Sequence, residues 1–216
     1  MGTMNLTRRW IAVAGLASAL LAVGCAMLPP TVDAYRPLPI GATWTNSRTD
    51  TGSYGSGTTQ ETITFAERTW QGRPVVALEG RQGAIIQQRQ DAKWLAIVSS
   101  GGRPLITYDP PLGFDYPIAV GRTWKTKHRV TNYMANRSVD IEATWTVEAY
   151  EEITVPAGTF KAFRVRYVDT AGNEDVYWPS PELDMVAVKN SQRRTAASAQ
   201  GAGTRETVLV SHAIRK

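Results

Sequence analysis

Few side chains in this 216-residue chain could do chemistry, and their scarcity narrows the choice. There is one cysteine, Cys25, and there are two histidines, His128 and His212. A lone cysteine excludes an intramolecular disulfide, and two histidines leave little room for a His-rich metal site. The nucleophile elbow, the phosphate loop, H-E-x-x-H and C-x-x-C are all missing from the sequence. A Ser-His-Asp arrangement would have to use His128 or His212, and neither neighbours a nucleophile motif. Glu174, Asp175, Glu182 and Asp184 lack the spacing of a calcium loop and read as solvated hairpin ends. The sequence therefore points to no catalytic residue, no metal and no cofactor. Both histidines share the phase of apolar residues on predicted strands, as do Trp124 and Trp145. Two readings stay open for these four: packed residues at a core edge, or the lining of a concave pocket that orients a ligand headgroup. Trp124, His128, Trp145 and His212 are the candidate ligand-binding residues on the second reading.

Cys25 is different, because its surroundings give it a specific chemistry. Arg8 and Arg9 precede an apolar run from Trp10 to Val23, which has the proportions of an export-signal core and is short for a membrane span. The run ends at Ala22-Val23-Gly24-Cys25. This resembles the bacterial lipobox, in which small residues precede a cysteine that is diacylated and becomes the new N-terminus. The usual Leu three residues before the cysteine is replaced by Ala22, with Leu21 one position earlier. The expectation is a lipoprotein signal peptide over 1–24, lipidation at Cys25, and a tether over 25–34 containing Pro29-Pro30. Ala26, rather than Asp, follows the cysteine, which by resemblance to Gram-negative lipoproteins sorts the protein to the outer membrane, facing the periplasm. Arg8-Arg9 leaves both the general and the twin-arginine export routes open. Removing 1–24 takes two arginines and no acid, so the formal charge falls from +5 to +3. That is too mild for a nucleic-acid partner.

These residues need a scaffold, and alternation predicts strands. From Val139 to Ala149 the odd positions are Val, Ile, Ala, Trp, Val and Ala, and the even ones are Asp, Glu, Thr, Thr and Glu. One face is thus wet and the other buried. Trp124, Thr126, His128 and Val130 form one face of the strand before it, against Lys125, Lys127 and Arg129. Phe163, Val165 and Tyr167 alternate with Arg164 and Arg166; Phe160 and Ala162 break that phase, which predicts a β-bulge near Ala162. Val208, Val210, His212 and Ile214 share one side of the last strand. Loops are expected over Asp50–Thr59 and Gln192–Thr204. Ile40-Gly41-Ala42-Thr43-Trp44 and Val120-Gly121-Arg122-Thr123-Trp124 match at an offset of 80 residues, each after a Tyr-and-Pro-bearing lead. The mature chain therefore reads as one all-β domain over 35–216, built from two tandem β-meander copies at about 35–110 and 115–216. About ten strands in one twisted sheet predict a curved antiparallel sheet, a partly open β-barrel or a sandwich, following an N-terminal signal helix.

A further resemblance rests on Val155-Pro156-Ala157-Gly158-Thr159-Phe160, Phe163-Arg164-Val165, Tyr177-Trp178-Pro179-Ser180-Pro181 and Met185-Val186. As a set these are similar to uncharacterised Gram-negative envelope lipoproteins that carry a V-P-A-G-T-F-x-x-F-x-V hairpin and then a W-Y-S-P-x-x-G-x-V strand. Here the aromatic pair is reversed, and Asp184 stands where the family tends to have glycine. The resemblance implies an all-β half-barrel, distantly similar to the periplasmic lipoprotein-carrier fold, whose plugging helices find no counterpart in this sequence. It carries over no catalytic residue. Two functional expectations follow. The first is a lipid-anchored, non-enzymatic module holding a lipid or other amphipathic ligand on a concave sheet. The second is a structural component docking onto an envelope protein partner through an edge strand or apolar patch.

Overall fold

The computed structural model describes residues 28–214. The expected signal peptide and Cys25 lie outside the described residues. Twelve strands follow in order: β1 Thr43–Gly52, β2 Gly57–Trp70, β3 Arg73–Gly80, β4 Gly83–Gln87, β5 Trp94–Ser99, β6 Pro104–Leu112, β7 Thr123–Asn132, β8 Arg137–Val155, β9 Gly158–Asp169, β10 Asn173–Ser180, β11 Val186–Arg194 and β12 Gly203–Ala213. The only helical element among the described residues is a 3₁₀ turn at Pro181–Leu183. Every strand pairs antiparallel with its sequence neighbours, and β12 pairs with β1, so the meander closes into a barrel. The sheet is neither partly open nor a sandwich. Closure leaves no unpaired edge.

The seam explains why two expected loops are strand. Asp50 faces Arg205, Thr49 faces Glu206 and Thr51 faces Thr204 across β1–β12. Partners across the seam draw these polar segments into the ladder. Only residues 53–56 and 195–202 remain as the connections there.

Inward positions follow from the pairing. Trp124 faces Trp145 and His128 faces Ile141 across β7–β8, while Tyr167 and Val165 face Trp145 and Val147 across β8–β9. All of these are buried. On the outer face Lys127 pairs with Glu142 at 2.6 Å and Arg129 with Asp140 at 2.8 Å, and all four side chains are mostly exposed. A barrel that crosses a bilayer carries an apolar belt outside and polar groups within. This wall has the reverse polarity, so it faces water.

The six strands β1–β6 and the six strands β7–β12 each begin with the same turn. Gly41 and Gly121 have φ +87° and +88°. Gly41 N–H donates to Phe65 C=O and Gly121 N–H to Val147 C=O, each at 2.8 Å. Leu38 and Ile118, two residues before Ile40 and Val120, are both buried. Aromatics further along do not correspond between the halves, since Trp94 lies on the fifth strand of the first and Tyr177-Trp178 on the fourth of the second. The segment expected as a free tether is docked at one point, where Val32 and Ile118 exchange backbone hydrogen bonds of 2.9 and 2.8 Å.

The phase break in β9 is real, but the bulge sits on its partner. The β8–β9 register shifts between Val147 and Ala149. There the buried face changes: Phe163 and Ala162 are both fully enclosed, and beyond them Phe160 and Val155 are buried while Lys161, Thr159 and Thr154 are exposed. The V-P-A-G-T-F tip belongs to this end. Ala157 N–H donates to Leu209 C=O at 3.2 Å. Val155, Phe160 and Ala162 join one core cluster with Trp44, Val188 and Leu209. Ser180 Oγ donates to Lys161 C=O, and Trp178 Nε1 to Glu151 Oε1, both at 2.8 Å. The motif is thus a staple between the long hairpin and β10–β12. Asp184, at the family's glycine position, has φ +48°, and Met185 has φ +68°.

Gly41→Ala and Gly121→Ala should each cost about 1–2 kcal/mol, because both sites are sterically open and only the left-handed backbone resists a side chain. Gly83→Ala should cost more, since its Cβ would lie 1.9 Å from Val98 C=O. Urea unfolding of the three variants checks this ranking.

Candidate functional site

Alternation along β7 and β8 brings three of the four candidate residues together inside the barrel. The rings of Trp124 and Trp145 stack at 5.7 Å with 2° between planes. Trp145 Nε1 donates to Thr126 Oγ1 at 3.3 Å, and Thr126 Oγ1 lies 3.2 Å from His128 Nε2. Tyr167 meets Trp145 edge-on at 4.6 Å, and Tyr177 stacks on its other side at 6.0 Å. His212 does not join them. The β1–β12 register shifts between Thr45 and Asn46, so Val210 falls out of phase and Leu209 is the enclosed residue. His212 is exposed opposite Trp44, with its ring 5.9 Å from Phe160 and five strands away from β7.

Charge is buried beside the aromatics. Tyr167 OH donates to Asp169 Oδ2 at 2.8 Å and Tyr177 OH to Asp175 Oδ2 at 2.9 Å. Burial pushes the Asp175 carboxyl up to about 6, against hydrogen bonds from Tyr177 and Gln192 that favour its charged form. The same desolvation raises the hydroxyls of Tyr108, Tyr167 and Tyr177 well above the ordinary tyrosine range. It also lowers His128, which is 3% exposed, so that its neutral form is favoured. His128 Nδ1 makes no well-formed hydrogen bond, and the nearby Pro110 carbonyl compensates it only in part. Among the described residues five further buried polar atoms make no well-formed hydrogen bond: Asn46 Oδ1, Arg48 Nε (which lies 3.4 Å from Asp50 Oδ2), Trp124 Nε1, Asp175 Oδ1 and Asn190 Oδ1. By strand register all six point into the barrel. The interior is filled by side chains and is polar-lined in its middle, so it offers no open concave face.

An accessible hollow lies at the barrel end where the chain enters. A cleft of about 420 Å³ is lined by Asp33, Tyr35, Asp91, Lys93, Asp115 and Arg122, with Phe114 and Tyr116 among its aromatic walls. Phe114 also packs edge-on against Trp145 at 5.5 Å and Tyr177 at 6.2 Å. One ring thus belongs both to the cleft and to the aromatic cluster behind it. Lys93 Nζ pairs with Asp115 Oδ1 at 2.5 Å. Arg122 donates to the carbonyls of Asp115 and Pro117 and lies 5.4 Å from the Trp124 ring. Tyr35 and Tyr116 face each other at 6.4 Å, and burial pushes the Tyr35 hydroxyl up to about 12. Sequence periodicity missed this cleft because its residues lie on the non-repetitive segments between strands. The one signal was the Tyr-and-Pro-bearing lead, which contains Tyr35 and Tyr116.

No family model matches the chain, and no curated protein matches it in sequence. Three solved structures are similar to it. A Bacteroides fragilis protein described as exported and having a YmcC-like fold shares 12% identity over 84% of this chain and 99% of its own, with a TM-score of 0.48. A Parabacteroides distasonis protein described as a lipoprotein shares 12% identity over 84% of this chain and 99% of its own, with a TM-score of 0.41. The hypothetical lipoprotein YmcC of Escherichia coli shares 11% identity over 82% of this chain and 91% of its own, with a TM-score of 0.45.

The buried acid and the buried imidazole pull stability in opposite directions with pH. Asp175, raised from 3.8 to about 6, stabilises the fold most below pH 4 and loses that contribution as pH rises through 6. His128, lowered from 6.5, contributes above that value and loses its contribution as pH falls. The unfolding free energy of Asp175→Asn relative to wild type should therefore rise by roughly 2–3 kcal/mol between pH 4 and 7. That of His128→Gln relative to wild type should rise as pH falls from 7 to 5. Denaturant titrations across the range check both slopes.

Proposed function

We propose that the chain is an exported lipoprotein, held by acylated Cys25 at the periplasmic face of the outer membrane, and that it works as a non-enzymatic binding module for a lipid or other amphipathic molecule. The cleft carries this reading. Its volume is that of a small-ligand site, and it sets aromatic rings beside charged groups. Tyr35, Phe114 and Tyr116 would take an apolar chain, and Lys93, Arg122 and Asp91 would meet a polar headgroup. The expected concave sheet is enclosed, so the ligand site moves from the sheet face to the barrel mouth. The reading is non-enzymatic: Asp175, His128 and Tyr167 are enclosed within the barrel, behind the cluster on which Phe114 packs. Docking onto an envelope protein complex is the second reading, favoured by Tyr133 and Met134, which are 53% and 68% exposed on the β7–β8 hairpin tip.

Cys25→Ser should release the protein from the membrane fraction and remove the acyl mass. The mature domain from Ala26 onward, exported without its anchor and gently purified, should carry or take up a lysophospholipid in native mass spectrometry. Phe114→Ala and Tyr116→Ala should weaken that uptake about tenfold or more, the scale of losing one well-packed aromatic contact. A bare mass that stays bare with added envelope lipids would overturn the binding reading.

A further inference from the structure

Two large aliphatic side chains are exposed at the same end of the molecule: Ile40 at 55% and Val120 at 39%. Ile40 and Val120 occupy the same position in the two matched turns that open β1 and β7. Both strands run away from this end, because strands alternate in direction and both are odd-numbered. In a closed ring of twelve, β1 and β7 are six strands apart, so the two side chains sit on opposite sides of the rim. Their exposure is not a shortage of interior space. Two residues earlier Leu38 and Ile118 turn inward and are buried, so each lead buries one aliphatic residue and presents the next.

The N-terminal segment reaches the barrel at this rim, where Val32 bonds to Ile118. Val32 is the seventh residue after Cys25. At about 3.3–3.6 Å per residue the fully extended chain spans roughly 25 Å, so an anchored domain cannot carry this end far from the bilayer. The cleft opens at the same end, since its lining residues lie on the chain entrance, the β4–β5 connection and the β6–β7 connection. The outer wall, with its exposed Lys127–Glu142 and Arg129–Asp140 pairs, is unsuited to immersion.

We propose that this rim rests on the bilayer surface, with Ile40 and Val120 dipping into the interfacial region on either side, so that the barrel stands upright and the cleft mouth faces lipid. The inference rests on the lipid-anchor reading and deepens it: the ligand would come from the membrane itself. The opposite end, with Tyr133 and Met134, would face away.

The test uses the acylated chain as exported, beginning at Cys25, whose thiol the acyl group blocks, reconstituted in phosphatidylethanolamine–phosphatidylglycerol vesicles. Ile40→Cys, Val120→Cys and Met134→Cys are each labelled with an environment-sensitive fluorophore. The expected result is a blue shift and loss of iodide quenching at 40 and at 120, and neither at 134. Labels at 40 and 120 that behave like 134 would overturn the proposal, and a shift at only one of them would overturn the upright orientation. Should the purified chain prove unacylated, the anchor reading fails, and the same variants in a chain that begins at position 25 with Cys25→Ser are coupled to a lipid through the N-terminal amine. Their emission then decides the rim on its own.

Discussion

The fold depends on the pairing of its first strand with its last. A meander whose ends stayed apart would leave two long edges exposed, each a template for association. Bringing residues 43–52 against 203–213 closes a loop spanning most of the chain, at an entropic cost that grows only slowly with length. A local interaction fixes the register. Arg205 donates two hydrogen bonds to Asp50, 2.7 and 2.9 Å long, and these hold the Asp50 carboxyl below its ordinary range. Tyr54 lies under the guanidinium groups of both Arg194 and Arg205, at 3.8 and 4.6 Å. The threonine hydroxyls of Thr51 and Thr204 meet at 2.8 Å. A one-residue slip would turn Asp50 and Arg205 to opposite faces, so the closure is registered by charge where the strands lack apolar residues to register it.

Closure decides what kind of binding the domain can offer. A curved open sheet would present its concave face, and the six tryptophans from Trp44 to Trp178 would suit such a face well. Once the ring is shut, that face becomes the interior, and Trp124, Trp145, Tyr167 and Tyr177 pack on one another. Access then passes to the ends. At the end where the chain enters, the two turn leads insert Leu38 and Ile118, and the β6–β7 connection lays Phe114 over the aromatic cluster. At the other, Asp50, Arg205, Arg194 and Tyr54 fill the interior. The cleft beside Phe114 is the place where a ligand's apolar part could reach the aromatic cluster with the displacement of a single ring.

Much of this was legible in the sequence, and the failures have physical reasons. Alternation from Trp124 to Val130 and from Val139 to Ala149 located β7 and β8, and placed Trp124, His128 and Trp145 on one buried face, because one wet and one dry face leave a period of two. The closing seam was illegible because Arg48, Asp50, Arg205 and Thr207 are polar yet point inward, so their segments read as loop. His212 was misplaced because it lies at the exposed end of the last strand, opposite Trp44 and five strands from β7, a distance that phase along one strand does not reveal. Near Ala162 the sequence revealed that the buried face changes. It did not reveal that the extra residue belongs to β8, since phase along one strand carries no information about its partner. The cleft residues lie outside any period and come together only through three separate connections.

The two opposed titrations inside the barrel bear on why its core keeps polar groups at all. Replacing a buried polar network by apolar side chains is often neutral or stabilising, whereas removing one member is costly. Asp175 and His128 therefore contribute little to net stability that Leu and Phe could not. What they contribute is direction. Asp175 fixes the hydroxyl of Tyr177, and Asp169 fixes that of Tyr167, so both rings are held against Trp145 at defined angles. Thr126, bound between Trp145 Nε1 and His128 Nε2, orients the indole from the opposite side. An all-apolar interior of the same volume would pack in several ways. This one holds Trp145 in a single pose, and Trp145 is the surface on which Phe114, the floor of the cleft, rests.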